Sequence, residues 1–225
     1  MPDLLDAIEI ETGPAPRAAV VWLHGLGADG HDFAPIVPEL RLPGTLPVRF
    51  VFPHAPPQPV TINGGMIMPA WYDVFDLEGR RGEDEAGIRA SQARVEALLA
   101  REKARGVPAA AIVLAGFSQG GAIALQTGLR HPERLAGIVG LSTYLPLGRT
   151  LAAEASAANR DVPIFMAHGL HDDLIPPARA RRSRERLNEL GYRVTWREYA
   201  MPHAVCAEEI RDVGEWLAEA LRAAG

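Results

Sequence analysis

The stretch Ala111-Ile112-Val113-Leu114-Ala115-Gly116-Phe117-Ser118-Gln119-Gly120-Gly121 runs from an unbroken apolar segment into a glycine-flanked serine. An apolar run without alternation is how a strand buried on both faces reads. After the serine, Gly120, Ala124 and Gly128 recur at i, i+4 and i+8, one face of a helix able to lie close against a sheet. Gly116 to Gly120 fits G-x-S-x-G, the sharp strand-to-helix turn that thrusts a serine hydroxyl above a sheet. In such a turn the positions two before and two after the serine crowd each other. Both must therefore lack a Cβ, and both are glycine. The bland alternative is a plain glycine turn, but the strand before and the patterned helix after are what the elbow demands.

Working outward, similar apolar runs occur at Ala18–Leu23, Val48–Phe52, Leu135–Leu141 and Pro163–Ala167. Arg193 to Tyr199 alternates more, as an edge strand would. Helical stripes lie between them: Ile88, Val95, Leu98 and Leu99; Leu187 and Leu190; Ile210, Val213, Leu217 and Leu221. Glu83, Asp84 and Glu85 start the first stripe, and Lys103, Arg105 and Gly106 end it, matching the helix dipole and a glycine cap. Ala-rich residues 147–160 suggest a further helix. Strands alternating with helices make the chain α/β, with a mostly parallel twisted sheet and helices on both faces. No linker or repeat divides the sequence, so residues 1–225 are expected to form a single domain. The Pro- and Gly-rich segment 54–82 is the exception to the pattern. Within it, residues 60–68 suggest a small hairpin turning on Asn63-Gly64.

Composition excludes several classes. Apolar residues are 48% and charged residues 23%, ordinary for a chain with a proper core rather than a disordered one. The net charge of −5 gives no global positive field for nucleic acid. One cysteine, Cys206, allows no intrachain disulfide; it reads as a small packing residue of the C-terminal helix. The acidic Met1-Pro2-Asp3-Leu4-Leu5-Asp6 is not a secretory leader, and no apolar run reaches membrane-spanning length, so no integral membrane segment and a cytoplasmic location are expected.

A nucleophilic serine needs a base, and the base needs an orienting acid, in the chain order Ser, Asp/Glu, His for this kind of elbow. The run Pro163–Ala167 ends in His168-Gly169-Leu170-His171-Asp172-Asp173, so Asp172 or Asp173 qualifies, Asp172 being preferred. Only His203 lies beyond them. Oxyanion donors should be the backbone N–H of Gln119, at a helix start, and of Leu26, in the loop after an early strand. Leu26, Trp71, Phe117 and Ile175 are the expected walls of the substrate pocket. Three rivals compete. Gly25-Leu26-Gly27-Ala28-Asp29-Gly30 is a G-x-G-x-x-G after a strand, but the next strand ends Phe52-Pro53-His54 without the acidic residue a dinucleotide site wants. His168, His171 and Asp172, with His24 or His31, hint at a metal set without helical ligand spacing, so no metal or other cofactor is expected. Arg179, Arg181, Arg182, Arg184 and Arg186 read as a solvated helix face balanced by Glu185 and Glu189.

Six stretches in order, Leu23–Gly30, Pro69–Asp73, Gly116–Gly121, Leu141–Pro146, His168–Asp172 and Tyr199–His203, resemble the bacterial carboxylesterase and acyl-protein thioesterase family of α/β-hydrolases. The resemblance implies an α/β-hydrolase fold with no large lid domain, and often a homodimer. It also implies a Ser118-Asp172-His203 triad with Leu26 and Gln119 as oxyanion donors. The expected activity is carboxylester hydrolysis of short- to medium-chain acyl esters. Thioesterase or lysophospholipase action on longer chains is the alternative, and a non-catalytic binding scaffold the remaining one. The expected partner is a small ester or thioester substrate.

Overall fold

The computed structural model describes residues 4–76 and 81–223. Among the described residues the strands are β1 (Ala7–Glu11), β2 (Ala18–Leu23), β3 (Val48–Pro53), β4 (Pro57–Val60), β5 (Met66–Pro69), β6 (Ile112–Phe117), β7 (Gly137–Leu141), β8 (Ile164–Gly169) and β9 (Val194–Tyr199). The α-helices are α1 (Glu85–Ala104), α2 (Gln119–Gly128), α3 (Leu151–Glu154), α4 (Pro177–Glu189) and α5 (Ala207–Arg222). Seven strands make one sheet in the order β1-β3-β2-β6-β7-β8-β9. All pairings are parallel except β1 with β3. The four central strands β2, β6, β7 and β8 are buried almost throughout, which is why they carry no polar alternation. β9 closes one edge and does alternate.

Adjacent residues of one strand show that both faces are covered. The indole of Trp216 in α5 fills the space beside Gly137, while Ile138 lies against Gly128 of α2. Neighbouring strand residues point to opposite faces, so α2 and α5 lie on opposite sides of the sheet. Helix α1 starts on the Asp84 side chain, which accepts the Gly87 N–H at 3.0 Å, and ends at Gly106 with φ +93°. The Asn63-Gly64 turn holds, with β4 and β5 as its arms and Gly64 and Gly65 at φ +68° and +80°. Of the segment 54–82, residues 77–80 lie outside the described residues. In the Ala-rich stretch 147–160 only α3 and a short 3₁₀ turn form. No large lid domain intervenes among the described residues. None of their helices is long and apolar enough to cross a membrane.

Candidate active site

After β2 the chain adds β3 on one side and later β6 on the other, so the carboxyl ends of β2 and β6 flank a switch point, where open α/β sheets build ligand crevices. His24-Gly25-Leu26 leaves β2 there, and Ser118 leaves β6. Ser118 has φ +54° and ψ −120°, a conformation that costs a non-glycine residue about 1–3 kcal/mol and persists only where neighbours enforce it. They do: its N–H donates to the Leu141 carbonyl at 2.8 Å, and its carbonyl accepts from Thr143 Oγ1 at 2.6 Å. The glycines are needed, though differently from the symmetric crowding expected. A Cβ on Gly116 would strike the Gly120 backbone, whereas one on Gly120 would strike the Leu23 and His24 carbonyls at the end of β2.

The structure brings the three sequence-selected side chains into line. Nε2 of His203 is 2.9 Å from Ser118 Oγ, and Nδ1 is 2.7 Å from Asp172 Oδ2. Asp172 is buried and Asp173 exposed, which separates the two neighbours. Asp172 Oδ1 accepts the N–H groups of Leu174 (3.0 Å) and Ile175 (2.8 Å). Burial alone would raise this carboxyl's pKa; hydrogen bonds from His168, His203 and the Ile175 N–H outweigh it and hold Asp172 well below the usual carboxylate range. His168 was missed as part of this site. Its Nε2 lies 3.2 Å from Asp172 Oδ2 and 2.8 Å from the Ile175 carbonyl, so one N–H is shared between them. Gly169 leaves room for the Met201 and Pro202 carbonyls, so the loop bearing His203 crosses directly over the end of β8. The Phe117 ring supports the imidazole at 4.8 Å between centroids. Cys206 is not inside the helix as expected: it is the N-cap of α5, its Sγ 3.5 Å from the Glu209 N–H, so His203 rides on a loop ahead of the helix.

The Leu26 loop is held from both sides. His24 Nε2 accepts the Ala55 N–H at 3.0 Å, which leaves Nδ1–H to donate to the Gly25 carbonyl at 2.7 Å. Burial pushes the His24 pKa down, consistent with this neutral tautomer. The Gly27 N–H donates to the Pro69 carbonyl. Among the described residues neither the Leu26 nor the Gln119 N–H has a protein acceptor. Of the glycines in Gly25–Gly30, Gly25 serves the elbow, since a Cβ there would lie 3.3 Å from the Phe117 ring and 3.5 Å from Ser118 Cβ, whereas Gly27 stands at φ +77° and a Cβ on Gly30 would strike the Phe52 carbonyl at the end of β3. Residues Ala34–Leu40 after them form a 3₁₀ helix, not the α-helix N-terminus a pyrophosphate would need. The residues weighed as a metal set do not come together: His24 bonds the Ala55 N–H, His168 bonds Asp172, His171 is exposed, and His31 lies instead with Asp29 and His54, their ligand atoms within 4.8 Å of one another.

A cavity of about 470 Å³ opens on Ser118 and His203, and Leu26, Phe117 and Ile175 line it as expected. Trp71 does not, and this corrects the sequence expectation. Its ring is fully buried behind the wall, where Nε1–H donates to the His24 carbonyl at 2.9 Å. The next residue, Tyr72, faces the cavity instead, its hydroxyl 2.7 Å from that of Tyr144. Ile62, Val74, Leu174 and Arg179 complete much of the lining and had no distinguishing sequence signal.

A parallel sheet, a strained serine at the switch point and a serine–histidine–aspartate alignment define an α/β-hydrolase. The phospholipase/carboxylesterase family matches residues 6–221, and the chain belongs to that family. It is 43% identical over 213 residues to acyl-protein thioesterase 1 of Neurospora crassa, covering 91% of this chain and 87% of that one. It is 40% identical over 221 residues to acyl-protein thioesterase 1 of Yarrowia lipolytica, covering 96% and 97%. The crystal structure of Zea mays acyl-protein thioesterase 2 superposes with a TM-score of 0.83 at 31% identity, over 96% of this chain and all of that one. These relatives are fungal and plant proteins, so the expected bacterial branch of the family finds no support in them.

Proposed function

We propose that the chain cleaves fatty acyl thioesters, and related oxyesters, by an acyl-enzyme route, with acyl groups on protein cysteines as its main substrates. The observation that carries the chemistry is the unbroken Asp172–His203–Ser118 hydrogen-bond chain. The preference for thioesters rests on the curated relatives, which favour it over the short-chain oxyester activity ranked first from sequence. Ser118 Oγ attacks the carbonyl carbon as His203 Nε2 takes its proton, and Asp172 stabilises the imidazolium. The Leu26 and Gln119 N–H groups receive the oxyanion. The thiol leaves with the proton from His203, and a water, deprotonated by the same nitrogen, releases the acid. Leu26, Phe117 and Ile175, with Tyr72 in the place expected for Trp71, hold the acyl chain.

The test pairs Ser118→Ala with matched thioester and oxyester series from acetyl to palmitoyl. The variant should lose about 10⁴–10⁶-fold in kcat and its labelling by a fluorophosphonate, with the fold unchanged. Wild type should favour thioesters of medium or long chains. A preference for acetyl and butyryl oxyesters would return the assignment to a short-chain carboxylesterase. An active Ser118→Ala would end the serine-nucleophile reading.

A further inference from the structure

The loop that leaves β2 carries more than the Leu26 N–H. Asp29 and His31 follow on the same loop, and His54 meets them from the end of β3. One ligand atom from each of the three lies within 4.8 Å of the other two. The His31 and His54 rings stand 5.6 Å apart between centroids, tilted by 42°. Asp29 and His31 are exposed and His54 is half-buried. None of the three lines the catalytic cavity, although Ala28 and Asp32 beside them do. Of the histidines weighed from sequence as metal ligands only His31 takes part, and His54 was not among them.

The backbone beneath these side chains is fixed. The His54 N–H donates to the Asp6 carbonyl at 2.9 Å, and the next N–H, of Ala55, to His24 Nε2. The Asp32 N–H donates to the Asp29 carbonyl at 3.1 Å, and the His31 N–H to Asp29 Oδ1 at 2.7 Å. Gly30, between them, packs against the Phe52 carbonyl. Little chain freedom is left to lose when a ligand draws the three side chains together.

We propose that Asp29, His31 and His54 bind a divalent transition metal of the zinc class, which clamps the loop bearing Leu26 to the end of β3. Two imidazoles and a carboxylate are a donor set that zinc takes with water as its fourth ligand. Imidazole nitrogen selects zinc, copper or nickel over magnesium and calcium. Asp29 is ready as a carboxylate, because hydrogen bonds from the His31 backbone and ring hold its pKa below the usual value. The bonds a metal would replace are weak. His31 Nδ1 and Asp29 Oδ1, 2.9 Å apart, form an exposed pair that water screens, and Asp29 Oδ2 has no partner among the described residues. His54 Nδ1 accepts the Gly30 N–H at 3.2 Å, the long end for such a bond. With Nδ1 accepting, Nε2 carries the proton of a neutral ring, so a metal on either nitrogen releases the Gly30 N–H. Metal binding is thereby coupled to the backbone of the loop.

The test titrates the full chain, free of any histidine tag, with zinc chloride in a calorimeter, and follows the melting temperature and the Gly30 amide signal in NMR. Wild type should take up one zinc per chain, melt at a higher temperature as zinc is added, and shift the Gly30 signal. Calcium and magnesium should do none of this. His31→Ala, an exposed change outside the core, should weaken zinc binding by at least about tenfold, since losing a ligand costs no less than losing a group that orients one. His54→Ala should do the same; if it fails to fold, His31→Ala decides alone. His171→Ala, an exposed histidine outside the cluster, should bind zinc as wild type does. No zinc uptake by wild type, or equal affinity in His31→Ala, would overturn the proposal. So would binding lost only in Cys206→Ser or His203→Ala, which would put the metal on the thiol or on the catalytic histidine. Ser118→Ala should keep the wild-type zinc affinity, so the result stands whether or not Ser118 is the nucleophile.

Discussion

Replacing Asp172 by asparagine tests the site where its geometry is most tightly fixed. Oδ1 is held by two backbone donors, the Leu174 and Ile175 N–H groups, so an asparagine must put its carbonyl oxygen there. The amide nitrogen then takes the Oδ2 position, 2.7 Å from His203 Nδ1 and 3.2 Å from His168 Nε2. Facing His203 it can only donate, which forces the proton onto Nε2 and leaves no lone pair for the Ser118 hydroxyl. Facing His168 it meets an N–H that already donates to the Ile175 carbonyl. A wrong tautomer of this kind costs about 10⁴-fold in kcat, or about 5.5 kcal/mol of transition-state stabilisation. The exposed Asp173→Asn should stay within about twofold, as surface substitutions do. The assay is kcat on a p-nitrophenyl ester for both variants, with circular dichroism to confirm folding. An Asp172→Asn enzyme keeping a tenth of wild-type kcat, or an equal loss in Asp173→Asn, would refute the reasoning.

Trp71→Ala should unfold more easily rather than change chain-length preference, losing about 3–5 kcal/mol in denaturant titration because a fully buried indole leaves a cavity. Glu102→Ala should cost about 3 kcal/mol in the same measurement, because it removes the fully buried carboxylate that Arg49 Nη1 reaches at 2.9 Å and leaves the buried guanidinium only Glu11, on its Nε. Glu209 is buried, its carboxylate has no hydrogen-bond partner among the described residues, and burial raises its pKa to about 8. The unfolded chain releases this proton near pH 4.5 and the folded one near 8, so stability should fall as pH rises between them, and Glu209→Gln should lack that component in unfolding curves from pH 5 to 8; parallel curves for the two proteins would disprove it.

Much of this was readable because buried parallel strands and a glycine-bracketed serine leave local marks. β2, β3, β6, β7 and β8 are apolar runs because helices or loops cover both their faces, and the Ser-Asp-His order follows from the strands that precede each residue. β1 was not found. It reads Ala-Ile-Glu-Ile-Glu, an alternating edge strand whose glutamates meet Arg49, Arg101 and Arg105, partners distant in sequence. Trp71 and Tyr72 are adjacent aromatics, and which one turns inward depends on the His24 carbonyl that the indole reaches 47 residues away. His168 was visible at the strand end, but only the folded loop shows that its Nε2 reaches Asp172. The Tyr72–Tyr144 pair and the Asp29–His31–His54 cluster likewise join segments with no mutual signature in the chain.

Gln119 links the parts of the site more closely than its place in the serine motif implies. Its backbone N–H, at the start of α2, is a proposed oxyanion donor. Its side chain meanwhile binds the segment behind the pocket: Oε1 accepts the Trp71 N–H and Nε2 donates to the Tyr72 carbonyl, each at 2.7 Å. The amide cannot be flipped without setting donor against donor and acceptor against acceptor, so its orientation is determined. Glutamate would keep one bond and leave a carboxylate oxygen facing a carbonyl in a buried place. The pocket wall therefore moves with the elbow, and the elbow is itself held in a strained turn by Leu141 and Thr143. Shape and chemistry are coupled through this one residue: a substitution at Gln119 releases the backbone of Trp71 and Tyr72, and so disturbs both the turn that aims Ser118 and the wall that Tyr72 gives the acyl chain.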